Sequence, residues 1–248
     1  MSGHNKWAKV KHVKAKQDAI RGRVFTRLIK EITLAARNGG GDESSNARLR
    51  KAIQDAKAAN MPASNIDKAI KRGTGELEGV SYEEATYEGY APGGAALIVD
   101  VVTDNKNRTV ADIRHLFAKH GGNMAESGAV AWMFEKKGIF TVTTAGRSED
   151  ELLEATLEAG AEDLKYDPES SDILSSPSDF DAVKAALEQK GISIEKAEVG
   201  MYPKNTVKVE GNDAVRLLKL MDVLDEHDDV QHVYSNFDIS EEVMSQVE

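Results

Sequence analysis

The chain has 248 residues, no cysteine and a formal net charge of −10. That length holds one large domain or two to three small ones. The lack of cysteine excludes a disulfide framework and thiolate zinc sites, and no apolar run approaches the ~18–20 residues needed to span a bilayer. The net charge conceals a division. Residues 1–75 hold 17 Lys and Arg against 6 Asp and Glu, a net of +11, and the remainder hold 15 against 36, a net of −21. Such a split predicts a polyanion-binding end on an acidic body. The polar, basic start MSGHNKWAKVKHVKAKQ has no apolar core of the kind a secretion signal carries, so an unexported, cytoplasmic protein is expected.

Residues 1–16 are charged and poor in apolar side chains, which predicts an arm that orders on a partner. From Gln17, Ile20, Val24, Leu28, Ile32 and Ala35 recur at helical spacing, and Phe25 and Ile29 widen the stripe. Asn38 and the three glycines at 39–41 end that helix, and the loop 39–45 reads as a flexible linker. A second helix is expected after Ser44 and Ser45 as N-caps, burying Leu49, Ala52, Ile53, Ala56 and Ala59 and ending at Asn60. Ser64 or Asn65 caps a third, which Gly73 ends. Three helices with short connections predict a small bundle, with a boundary in the glycine-rich segment 73–79.

Strands are expected at 86–91 and 95–103 around Pro92-Gly93-Gly94, which suits a type II turn or a somewhat longer hairpin loop. A helix is predicted from Thr109, with Asp112 completing a capping box, and strands at 129–134 and 138–144. A helix with a Ser148–Glu151 capping box follows, then strands at 163–166 and 172–175, a helix capped by Ser178, and a strand at 192–199. Counted from Gly138 the order is β-α-β-β-α-β, which is ferredoxin-like. A strand at 206–209, a helix at 213–226 and a strand at 230–238 are too few for a separate domain. They complete a second layer only if joined to residues 85–134. The expected fold class is therefore α+β: a three-helix bundle (1–78) and two ferredoxin-like α/β domains, the second (138–202) inserted into the first (79–137 plus 203–248).

The chemistry-bearing residues gather at the N-terminus. Lys6, Lys9, Lys11, Lys14 and Lys16 each can neutralise a phosphate and release counterions. Trp7 and His12 lie among them, and a flat ring between cations can stack on an unpaired base. Trp7 packed on the bundle is the equal alternative. Arg21, Arg23, Arg27 and Lys30 extend the basic surface along the first helix, where guanidinium groups can fork onto phosphates. The segment TDNKNRT places Asn105, Lys106, Asn107 and Arg108 between a strand and a helix, as a possible partner loop or as ordinary turn and cap residues. His115 and His120, five apart, do not form a metal pair on one helical face. The acidic run Asp222, Asp225, Glu226, Asp228 and Asp229 reads as a solvated helix end. No phosphate-binding, dinucleotide or nucleophile-elbow motif occurs, and no carboxylate pair stands out for acid–base work. An enzyme, a cofactor, a metal site, a small-molecule substrate and a membrane partner are not expected.

Two long segments resemble the YebC/PmpR family. They are GHNKWAKVKHVKAKQDAIRGRVFTRLIKEI at 3–32 and YEGYAPGGAALIVDVVTDNKNRTVADIRHLFAKHGGNM at 87–124. Val13 and Ala91 depart from the pattern, where Arg and Gly would be expected. The resemblance implies a helical N-terminal domain, two α/β domains and no enzymatic activity. It also implies one of two roles: DNA-binding transcriptional regulation, or action in translation on the ribosome, easing synthesis of difficult sequences such as proline runs. The sequence therefore predicts a non-enzymatic regulator that binds promoter DNA or ribosomal RNA through its basic end. The lack of an evident helix-turn-helix and the acidic body lean toward a shaped RNA site. The alternative is a protein-interaction scaffold whose basic arm merely docks.

Overall fold

The computed structural model describes Trp7, residues 17–144 and 146–240, and Val243. Helix α1 (Gln17–Gly39) packs its apolar stripe against α2 (Ala47–Ala58) and α3 (Ala63–Thr74). Ile32, Ala35 and Ala36 meet Leu49, Ala52, Ile53, Ile66 and Ala69 in one core. The bundle closes tightly at Gly73, where an added Cβ would lie 2.4 Å from the Thr33 carbonyl oxygen. Gly73 is thus an interior residue of α3 that permits a close helix crossing. The helix ends two residues later, at the left-handed Gly75.

Two caps differ from expectation. Asn46, not Ser44 or Ser45, starts α2. Its side-chain oxygen accepts from Leu49 N–H, and its amide donates to the carbonyls of Ala35 and Gly40 at 2.8 and 2.9 Å. An amide can both accept and donate, so it ties the helix start to the end of α1, which a hydroxyl cannot do as fully. Pro62 occupies the N-cap of α3, in place of Ser64 or Asn65.

Strands β1 (Glu83–Tyr90) and β2 (Ala96–Thr103) form a hairpin. Gly93 at φ 79°, ψ 1° and the Gly94 N–H bond to the Ala91 carbonyl make the expected type II turn at its tip. Helix α4 (Lys106–Lys119), β3 (Asn123–Ala125), α7 (Gly211–Glu226) and β9 (Val230–Ser235) complete a sheet in the order β3-β1-β2-β9. Leu97, Val99 and Val101 pack beneath Ile113 and Phe117 of α4 and Leu217, Leu220 and Leu224 of α7. The strands come from both sides of residues 138–202.

The inserted unit runs β4 (Phe134–Thr143), α5 (Glu149–Glu158), β5 (Asp163–Lys165), β6 (Ser170–Ser175), α6 (Phe180–Gln189) and β7 (Ile194–Pro203). Its sheet order is β5-β6-β4-β7, the ferredoxin-like threading. The first sheet shares the layer of four strands and two helices but places its hairpin at the centre. The Ser148–Glu151 capping box is present. Pairing between β4 and β7 runs from Phe134↔Pro203 to Val142↔Ile194, so β4 begins earlier and β7 ends later than the sequence suggests.

Three other expectations change. Residues 129–133 do not form a strand, and Phe134 belongs to β4. The buried carboxylate of Glu88 takes the N–H groups of Gly128, Val130 and Ala131 at 2.7–2.9 Å, and those donors are lost to any ladder. The short β3 pairs with β1 instead. The strand at 230–238 breaks at Asn236, whose side-chain oxygen accepts from Ala96 N–H. Its remainder, β10 (Phe237–Asp238), pairs with β8 (Val207–Lys208). Helix α6 starts after Asp179 and not after Ser178.

Candidate nucleic-acid interface

Lys6, Lys9, Lys11, His12, Lys14 and Lys16 lie outside the described residues. Trp7 is described, and it is buried in the core formed by β2, α4 and α7. Its indole N–H donates to Asp222 Oδ1 at 3.2 Å. The ring is packed and not left free, but it packs in the α/β core and not on the three-helix bundle that the sequence suggested.

Arg23, Arg27 and Lys30 recur at helical spacing on α1, so they share one face. That face meets the C-terminal end of α7. Arg23 pairs with Glu226 at 3.4 Å, and Arg27 pairs with Asp225 at 3.3 Å while also donating to its carbonyl. Lys30 pairs with Asp229 at 2.6 Å and donates to the Asp228 carbonyl at 2.8 Å. The acidic run is therefore not a solvated helix end. It is the counter-surface of α1, about two hundred residues away in sequence. Lys30 is buried and unavailable to a nucleic acid in this arrangement. Arg21 points elsewhere, exposed, with its guanidinium 5.3 Å from the Phe25 ring centre.

The TDNKNRT segment joins the same contact. Asn105, and not Thr109, caps α4, accepting from Arg108 N–H at 3.1 Å. Lys106 pairs with Glu83 at 2.8 Å, which holds the Glu83 carboxyl below its ordinary range. Arg108 reaches Asp104 at 2.8 Å and Asp229 at 2.9 Å. Thr109, buried, bonds Asp229 at 2.7 Å, and Thr103 bonds it at 3.1 Å. Asn107 is exposed. Asp229 thus gathers two cations and two hydroxyls. Burial pushes its carboxyl up, but Lys30, Thr109 and Arg108 outweigh that and hold it far below the ordinary carboxylate range. Nothing local in the sequence marks Asp229 above its acidic neighbours. The one signal is the pair of threonines bracketing the loop, which offers hydroxyls to a buried acceptor.

The helical module keeps a second set of cations. Among the described residues, Arg21, Lys57, Lys68 and Arg72 are exposed and belong to no ion pair. Arg48 instead bridges Glu31 and Glu84, both at 2.7 Å, and clamps the module to β1.

Residues 5–76 match the family model described as the TACO1/YebC protein N-terminal domain, and residues 82–237 match that for the TACO1/YebC second and third domain. A protein of Desulforapulum autotrophicum named "Probable transcriptional regulatory protein" is 56% identical over 243 residues, covering 98% of each chain. One of Koribacter versatilis with the same description is 55% identical over 247 residues, covering 100% of this chain and 99% of its own. The crystal structure of a conserved hypothetical protein from Aquifex aeolicus superposes with a TM-score of 0.81 at 49% identity, over 93% of this chain and 95% of that one.

Proposed function

We propose that this chain, which belongs to the TACO1/YebC family, is a non-enzymatic regulator of gene expression that binds nucleic acid through its N-terminal module. The observation that carries this reading is the charge contrast, +11 over residues 1–75 against −21 over the rest. A basic segment of that density neutralises phosphates and releases counterions, and binding weakens steeply as salt rises. The arm lysines, with the exposed Arg21, Lys57, Lys68 and Arg72, are the cations that serve it.

The acidic body favours a shaped RNA site over a long DNA rod. A body of like charge is repelled along a duplex, but in a folded RNA cavity it orients the basic end. Ribosomal RNA is such a site. The name of the relatives, transcriptional regulatory proteins, favours promoter DNA as the second reading. Co-sedimentation with ribosomes tests the first. Association is expected at low salt, is lost at high salt, and is abolished at low salt by Lys9, Lys11 and Lys14→Glu together. Unchanged association of that triple variant removes the ribosomal reading. A wild-type chain that prefers a DNA duplex to an RNA stem–loop moves the target to DNA.

A further inference from the structure

The contact between α1 and the end of α7 joins two complementary stripes. Arg23, Arg27 and Lys30 follow helical spacing on α1, and facing them are Asp225 and Glu226 in the last turn of α7 and Asp229 in the turn beyond its end, with Asp222 one turn earlier on α7. The stripes are not held uniformly. At Lys30–Asp229 the side chains are 8% and 5% exposed, at Arg27–Asp225 22% and 28%, and at Arg23–Glu226 29% and 50%. One end is a buried pivot and the other is open to water. Past the open end, toward the N-terminus, Asp222 on the same helix receives the indole of Trp7.

We infer that the acidic end of α7 is an internal competitor for nucleic acid. In the unbound chain Glu226 and Asp225 occupy Arg23 and Arg27, and Asp222 holds Trp7. A polyanion binds fully only by displacing these carboxylates. The inference rests on the nucleic-acid reading above and specifies how that site is regulated.

The physical case has three parts. A carboxylate and a phosphate each present two oxygens to a guanidinium fork, so one replaces the other as its partner. Solvent-exposed pairs are weak and screened by salt, so the open end can be exchanged for phosphates. The buried Lys30–Asp229 pair is costly to break, so α1 stays hinged to the body while its N-terminal half is released. Such a competitor filters partners. An isolated anion does not outbid several tethered carboxylates, whereas a structured nucleic acid presenting many phosphates does.

The test uses the full chain and two fluorescein-labelled probes, an RNA stem–loop and a DNA duplex of matched length. Asp225→Asn with Glu226→Gln is expected to bind the preferred probe roughly three- to tenfold tighter than wild type, the size two exposed pairs allow. Its dependence on log salt is expected to steepen by about one to two, as two more cations meet phosphates. A second measurement leaves the α7 end intact. With Trp132→Phe, which removes an exposed indole distant in sequence, Trp7 is the sole tryptophan, and its emission is expected to shift to the red as the probe saturates. Wild-type binding that the double substitution leaves unchanged or weakens overturns the competitor and leaves the nucleic-acid reading standing. So does a Trp7 emission that stays unmoved at saturation. If neither chain binds either probe at low salt, both readings fall together.

Discussion

The two ends of the α1–α7 contact use the same chemistry with opposite consequences. At Lys30, a cation, a carboxylate and two hydroxyls are closed away from water around Asp229, which also accepts from the exposed Arg108. At Arg23 and Arg27 the same kinds of charge meet at the surface. Burial makes the first a structural joint, because removing one partner strands the other in a low dielectric. Solvation makes the second a weak, reversible contact. Charge pairing alone therefore does not tell which basic residues of a helix are available; the surrounding water does.

The largest expected effect is at the joint. Asp229→Ala strands Lys30 and should cost about 3–5 kcal/mol in urea unfolding. A loss below about 1 kcal/mol would place the joint in the same class as the open end. The same carboxyl carries a pH signature. Its folded value lies below the ordinary 3.8, so its contribution is complete above that value and is lost as pH falls toward the folded one. The stability gap between wild type and Asp229→Asn should hold steady above about pH 5 and narrow progressively below pH 4.

Glu88 separates burial from ion pairing, since its carboxylate is held by three backbone N–H groups. Burial raises its carboxyl and those N–H groups lower it further, to below its ordinary range. Glu88→Ala should cost about 2–3 kcal/mol by orphaning the donors, with faster amide exchange at Gly128, Val130 and Ala131. Unchanged exchange there would mean the loop is held by something else. At the small end, Glu226→Gln should alter stability by less than about 1 kcal/mol, and by less still at high salt. A larger loss would make the open end a second joint.

Much of the architecture is readable along the chain because it repeats over short distances. Helical spacing from Gln17, the Pro92-Gly93 turn, the Ser148–Glu151 box and the β-α-β-β-α-β order of the insert are local patterns, and each appears in the structure. Caps are less legible, because Asn46 wins by reaching back to Ala35 and Thr109 loses by turning toward Asp229.

The sequence by itself determined the charge division, the helical and strand periods and the family signature, since these are properties of neighbouring residues. Only the tertiary structure decided where the charges go. Arg23, Arg27 and Lys30 look equivalent on α1, and Asp222 to Asp229 look like any acidic helix end. Folding brings these distant stripes together, buries Trp7 beside them, and shields one pair from water while leaving the others wet. Spacing along a chain encodes which face a residue shares, but what covers that face depends on packing between segments far apart in sequence.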